Sequence, residues 1–188
     1  EPTMNEAQTK NLAVMSFGRM NPPTVGHESL ANKVLNVAMR SKGDPFIYLS
    51  HSQDKKKNPL TYDDKISYAQ TAFGSMVKKS RARTIIDVAK ELAKTYKNLM
   101  VVAGSDRVDE FDKLLNKYNG KDFKFDSIQV VSAGERDPDA EGVSGMSASK
   151  MRAAVASGNR KAFKSGLPKK LASVSDTIFD NLEKKMNE

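Results

Sequence analysis

The stretch LAVMSFGRMNPPTVGH, residues 12–27, decides how the rest of the chain is interpreted. Its first six residues form an apolar run with little alternation, which is typical of a buried strand in a parallel sheet. The run ends at Gly18, turns through Pro22 and Pro23, and leads to His27 at the start of an amphipathic pattern. A turn of this kind places backbone N–H groups and the positive end of a helix dipole at one point. The stretch therefore predicts a site that holds a polyphosphate.

Composition narrows the class of protein. The 188 residues include 31 Lys and Arg against 23 Asp and Glu, which gives a formal net charge of +8, and they include no cysteine. The length suits one well-buried core, and the basic balance favours anionic partners, among which nucleotides, nucleic acid and acidic protein surfaces all qualify. The lack of cysteine excludes disulfides, thiolate catalysis and cysteine-type zinc sites.

The sequence does not have the pattern of a membrane protein. No run approaches the roughly 18 apolar residues of a membrane span, and the polar residues 1–11 are interpreted as a flexible lead and not as a signal peptide. A cytoplasmic location is the default expectation. Glu1 stands where an initiator Met is usual, so a processed piece of a longer chain stays an open alternative.

Strand and helix patterns alternate along the chain. The apolar runs predict five strands, at residues 12–17, 46–50, 84–86, 99–103 and 128–132. This alternation implies a Rossmann-like, doubly wound, five-stranded parallel sheet with helices on both faces. Residues 12–167 are assigned to this domain, and residues 168–188 to a C-terminal helical extension. Ligands bind such sheets beyond the carboxyl ends of the strands, where the strand order reverses.

Side chains of the first turn suit phosphate chemistry. Gly18 allows the backbone to approach a ligand closely, and Gly26 admits a group against the helix start. His27 can donate to a phosphoryl oxygen, and the guanidinium of Arg19 can clamp another. A single histidine near a helix start also has a purely structural interpretation. The neighbouring glycine and the two prolines favour the functional one.

A second polar stretch, MSASKMR at residues 146–152, follows a loop with several glycines. Ser147 or Ser149 can cap a helix that runs through Ala156. This stretch, the first turn and residues 104–106 all lie at predicted carboxyl ends of strands. They can therefore face one crevice.

Both stretches match a known pair of signatures. Residues 17–27 resemble the G-x-F/M-x-P-x-[HT]-x-G-H signature of the nucleotidylyltransferase superfamily, and residues 147–152 resemble its second signature, [ST]-x-[ST]-x-x-[RK]. The superfamily contains α/β adenylyltransferases for nicotinamide mononucleotide, phosphopantetheine and FAD synthesis, and cytidylyltransferases of the glycerol-phosphate type. The resemblance covers residues 12–163. Thr24 stands where many members have histidine, although the phosphopantetheine branch also has threonine, and Ser149 replaces the commoner threonine.

The resemblance implies transfer of a nucleoside monophosphate from a triphosphate to a phosphate-bearing acceptor, with release of pyrophosphate. It implies that His27 stabilises charge on the phosphates in the transition state while Thr24 holds a neighbouring oxygen. Ser147, Ser149 and Arg152 would bind the β- and γ-phosphates. Mg²⁺ would be carried by the triphosphate rather than by a cage of protein ligands.

Further residues have two interpretations each. Asp106 either faces the ligand or caps the helix that follows it. The side chains of Lys55–Lys57 either reach phosphates or form a solvated run on a mobile loop. Arg136 is either a phosphate ligand or an exposed arginine, and His51 is interpreted as surface structure.

The sequence therefore predicts a magnesium-dependent nucleotidyltransferase, with ATP favoured as donor because of the Ser-x-Ser-x-x-Arg form and CTP as the alternative. The acceptor stays open: residues 21–23 and 104–106 resemble nicotinamide-mononucleotide enzymes, whereas Thr24 resembles the phosphopantetheine branch. The rival prediction is a non-catalytic or vestigial nucleotide-binding module in a larger protein assembly. The ending Met-Asn-Glu at residues 186–188 resembles cleavage sites of tailed-phage maturation proteases, which makes a virion the second location. An oligomer fits either prediction, while nucleic-acid binding rests on charge alone.

Overall fold

The computed structural model describes residues 8–134 and 146–188. Within them, the strands and α-helices follow the order β1 (Lys10–Gly18), α1 (Val25–Ser41), β2 (Asp44–Leu49), α2 (Tyr62–Phe73), α3 (Ile85–Ala93), β3 (Tyr96–Ala103), α4 (Val108–Tyr118), β4 (Ser127–Ser132), α5 (Ala148–Ala156), α6 (Arg160–Gly166) and α7 (Ser175–Met186). The described chain divides into two compact units. We call residues 8–17, 30–48 and 80–134 the sheet unit, and residues 18–29, 49–79 and 146–188 the helical unit.

The sheet unit holds one four-stranded sheet with the strand order β2-β1-β3-β4. Strand β3 pairs in parallel with β1 on one side and with β4 on the other. The chain first moves from β1 to β2 and then crosses back to β3, so the strand order reverses at β1. The predicted α/β fold with a parallel sheet is confirmed, but the sheet has four strands and not five.

The strand predicted at residues 84–86 is wrong, because these residues begin a helix. Thr84 is the N-cap of α3, and its Oγ1 accepts a hydrogen bond from the N–H of Asp87 at 3.2 Å. The buried side chains of Ile85, Val88 and Leu92 follow helical spacing along α3. Tyr96 is the first residue of β3.

Helices cover both faces of the sheet, and the strand residues alternate between them. Ala13, Met15 and Val101 lie in an apolar cluster with residues of α3 and α4. Val14 and Val102 point to the opposite face and pack with residues of α1. Burial on both faces explains why β1 and the second half of β3 are continuous apolar runs.

The helical unit has an apolar cluster of its own. Its buried members come from α2, from the segment before α2 and from residues 151–182; they are Leu60, Ala72, Met151, Ala154, Val155, Phe163, Leu167, Leu171, Ile178, Phe179 and Leu182. Residues 168–188 thus contribute completely buried side chains such as Leu182 to the same cluster as α5. No helix in the described residues is long and apolar enough to cross a membrane.

Candidate active site

The first motif lies where the chain leaves β1. The backbone oxygen of Gly18 accepts a hydrogen bond from the N–H of Ser50 at 2.8 Å, which fixes the end of the strand. Among the described residues, a Cβ atom added to Gly18 would meet no atom within 4 Å, and one added to Gly26 would meet only Thr24 Oγ1, at 3.4 Å. Neither glycine is therefore required by local packing. Both leave open space beside the backbone, as the close approach of a ligand requires.

Thr24 and His27 bind each other at the start of α1. The N–H of Thr24 donates to Nδ1 of His27 at 3.0 Å, and the N–H of His27 donates to Oγ1 of Thr24 at 3.4 Å. This is the reciprocal arrangement of a capping box, with histidine in the position where glutamate or glutamine is usual. The imidazole is therefore held directly at the positive end of the helix dipole.

Asn21 joins the turn to other parts of the helical unit through hydrogen bonds. Its side chain is buried, and Oδ1 accepts from the N–H of Leu60 at 2.9 Å while Nδ2 donates to the Leu60 oxygen at 3.4 Å. The backbone oxygen of Asn21 accepts from Nη1 of Arg152 at 2.9 Å. One residue thus connects the first motif, the segment before α2 and the arginine of the second motif.

The second motif begins α5 as the sequence predicts. Ser147 is the N-cap, and its Oγ accepts from the N–H of Lys150 at 3.2 Å. Ser149 lies exposed in the first turn, and Arg152 follows one turn later, partly buried.

Lys65 is a charged residue of this region that the sequence analysis missed. Its side chain is completely buried, and Nζ donates to the backbone oxygen of Ser50 at 2.6 Å and lies 3.3 Å from Ser50 Oγ. Burial, and secondarily the charge of Arg19, lowers the pKa of Lys65 from 10.5 to about 8. A signal for this residue was available, because Lys65 lies four residues before the buried Ala69, on the inner side of α2.

Arg19, Lys65 and Arg152 form a cluster of cations. Burial lowers the pKa of Arg152, the carboxylate of Asp54 raises it, and Arg19 lowers it, so Arg19 acts on both of the other two cations. Within residues 8–134 and 146–188, no carboxylate lies within 4.0 Å of any of the three. Cations without a close carboxylate partner favour a polyanionic ligand.

The lysine run after β2 is a structured turn and not an irregular loop. Oδ1 of Asp54 accepts hydrogen bonds from the N–H groups of Lys56, Lys57 and Asn58, and Oδ2 accepts from Asn58 Nδ2. The side-chain bond from Asn58 and these backbone bonds lower the pKa of Asp54 to about 2. The turn leaves the side chains of Lys55–Lys57 exposed. Their contact with phosphate stays a prediction.

Eight of the nine predicted site residues belong to the helical unit; they are Gly18, Arg19, Thr24, Gly26, His27, Ser147, Ser149 and Arg152. Asp106 belongs to the sheet unit, where it lies exposed in the short 3₁₀ helix Ser105–Arg107. The N-cap position of α4 is Arg107. The contact of Asp106 with a ligand stays a prediction. Arg136 lies outside the described residues. His51 stacks on Tyr62, with ring centroids 3.7 Å apart.

No protein-family model matches the sequence, and no curated protein matches it. The fold does match solved structures, among them the Plasmodium falciparum nicotinic acid mononucleotide adenylyltransferase complexed with APC. That match covers 90% of this chain and 98% of the other, with 13% sequence identity and a TM-score of 0.51. The chain thus has an α/β fold similar to that of a nucleotidylyltransferase-superfamily enzyme.

Proposed function

We propose that this protein is a nucleotidyltransferase that moves a nucleoside monophosphate from a triphosphate to a phosphate-bearing acceptor and releases pyrophosphate. The observation that carries the proposal is the cluster of Arg19, Lys65 and Arg152, in the same unit as His27. Among the described residues, none of the three cations has a carboxylate within 4.0 Å. The negative charge of a triphosphate would balance the positive charge of this cluster. The fold it shares with an adenylyltransferase supports the same reaction class.

The chain's own groups fit the roles that such a reaction needs. An acceptor phosphate oxygen attacks the α-phosphorus of the triphosphate, the bond to the bridging oxygen breaks, and pyrophosphate leaves with that electron pair. His27 and the start of α1 stabilise the charge that develops on the α-phosphate. Arg152 and the first turn of α5, with Ser147 and Ser149, hold the leaving pyrophosphate. No covalent intermediate is needed, so positioning and electrostatics supply the catalysis.

The proposed donor is ATP, with CTP as the weaker alternative. The Ser-x-Ser-x-x-Arg form of residues 147–152 supports adenylyl transfer, and the similar solved structure is an adenylyltransferase. We propose no single acceptor beyond its phosphate group, because the sequence cues for the acceptor point to two branches.

Mg²⁺ fits this site as a companion of the triphosphate. Within the described residues, no group of three His, Asp or Glu side chains is placed to hold a metal ion, and the donors near the first motif are cations and N–H groups. Phosphate oxygens are the ligands that suit this ion. When bound, the ion would neutralise phosphate charge and help to orient the leaving group.

The first experiment is a pyrophosphate assay. The protein is incubated with Mg²⁺ and each triphosphate in turn, together with nicotinic acid mononucleotide, nicotinamide mononucleotide, phosphopantetheine or glycerol phosphate. We expect pyrophosphate only when a triphosphate and an acceptor are both present, with the highest rate for ATP. The melting temperature is measured in parallel with each triphosphate alone.

Two results would contradict the proposal. Absence of pyrophosphate with every pair, together with an unchanged melting temperature, would exclude a nucleotide site. A rise in melting temperature without pyrophosphate would favour the non-catalytic nucleotide-binding module instead.

A further inference from the structure

The contact between Thr24 and His27 determines which nitrogen of the imidazole carries a proton. A backbone N–H can only donate, so Nδ1 of His27 must accept the 3.0 Å bond from the N–H of Thr24. A neutral imidazole with Nδ1 as acceptor carries its proton on Nε2. The helix cap therefore selects the tautomer that has its proton on Nε2. This N–H can donate a hydrogen bond to a phosphate oxygen, which is an acceptor.

The hydroxyl of Thr24 is directed at the same pair of groups. Oγ1 lies 3.4 Å from the N–H of His27 and 3.2 Å from its Nδ1. Thr24 as a whole is only 2% exposed, whereas His27 is half-buried. The imidazole is thus the more accessible of the two, and the threonine lies beneath it at the helix start.

We propose that Thr24 is a positioning residue that acts through His27, and that it does not itself hold a phosphate oxygen. Its hydroxyl caps α1, and the cap fixes both the direction and the tautomer of the imidazole. Threonine suits this role because its Oγ is a good N-cap acceptor. This inference rests on the proposed function, but the state of the imidazole can be measured without turnover.

The test compares Thr24→Val, which keeps the shape and loses the oxygen, with Thr24→Ser, which keeps the oxygen. Histidine labelled with ¹⁵N reports the protonation of each ring nitrogen, and since the chain has 2 histidines, His51→Ala assigns the signals of His27. We expect the natural protein and Thr24→Ser to show one tautomer, with the proton on Nε2. Valine keeps the backbone N–H but loses the hydroxyl cap that holds this N–H against Nδ1. We therefore expect Thr24→Val to show signals averaged between tautomers.

Kinetics separate positioning from phosphate contact. For Thr24→Val we expect kcat to fall about 10-fold to 100-fold while the Kd of a non-hydrolysable triphosphate stays within about 2-fold. Thr24→Ser should restore most of the loss. Circular dichroism and the melting temperature of each variant establish that it is folded before the comparison is made.

Three outcomes would overturn the inference: a natural protein whose His27 already exchanges between tautomers, a Thr24→Val variant with an unchanged imidazole signal, or a valine variant whose loss lies in triphosphate affinity. If no acceptor supports turnover, the proposed function fails. The labelled histidine signals then still decide whether Thr24 fixes the ring.

Discussion

Replacing His27 with alanine should lower kcat/KM for nucleotidyl transfer by about 10²–10³-fold. The imidazole is the polar side chain held at the start of α1, and its Nε2–H is set to donate by the bond that Nδ1 accepts from Thr24. Loss of a donor that stabilises charge in the transition state removes rate enhancement more than binding. Steady-state kinetics with the best donor and acceptor give the loss, and a non-hydrolysable triphosphate gives the remaining affinity.

His51→Ala is the matched control for this variant. The chain has 2 histidines, and His51 stacks on Tyr62 at the start of α2 instead of capping α1. We expect the control to keep its rate. Equal rates for the two variants, or a His27→Ala protein as active as the natural one, would remove His27 from the mechanism.

Replacing Lys65 with methionine should change how stability depends on pH. The pKa of Lys65 is lowered from 10.5 to about 8, so between these values the unfolded chain binds a proton that the native protein has released. Native stability therefore rises with pH across this window, and the full cost of the buried charge is present below about pH 8. Methionine has nearly the same length and no charge, so the variant lacks this dependence.

The difference between the two proteins is the quantity to measure. The free energy of unfolding of both proteins is determined with urea from about pH 7 to about pH 9.5. Over that range, the free energy of unfolding of the natural protein should rise by about 2 kcal/mol relative to that of the variant. Tyr68 and Tyr96 also have raised pKa values, but they contribute equally to both proteins and cancel. Lys56→Met, at an exposed position, should show no such gain. A constant difference for Lys65→Met would contradict the buried-charge interpretation.

The same substitution should weaken triphosphate binding roughly 10-fold, because it removes a positive charge from the cluster with Arg19. The charge of Lys65 would then lower the stability of the fold and strengthen triphosphate binding. Ammonium burial costs stability, and under the proposed function the charge would offset this cost by helping to bind the triphosphate. Titration of each variant with a non-hydrolysable triphosphate gives the two Kd values.

Local signals were sufficient for much of the fold. Apolar runs located β1, β2, β3 and β4. The sequence pattern gave Ser147 as one of two candidate N-caps of α5, and Ser147 is the N-cap in the structure. These features depend on neighbours within four residues. They can therefore be predicted from the local sequence.

Features that depend on distant partners were not predicted. Residues 84–86 have strand propensity from two isoleucines, but the packing of α3 against the sheet favours a helix. Lys65 is a surface residue by type, and its burial follows from an acceptor at Ser50. Asn21 likewise reveals its role only when Leu60 and Arg152 are brought beside it.

The fate of labelled phosphates tests the proposed reaction most directly. The protein is supplied with Mg²⁺, the preferred acceptor and ATP labelled with ³²P at the α- or the γ-phosphate, and the products are separated by chromatography. We expect the α-label to appear in the acceptor product and the γ-label to appear in pyrophosphate. A γ-label in the acceptor product, or orthophosphate as the only labelled product, would show a different reaction and contradict nucleotidyl transfer.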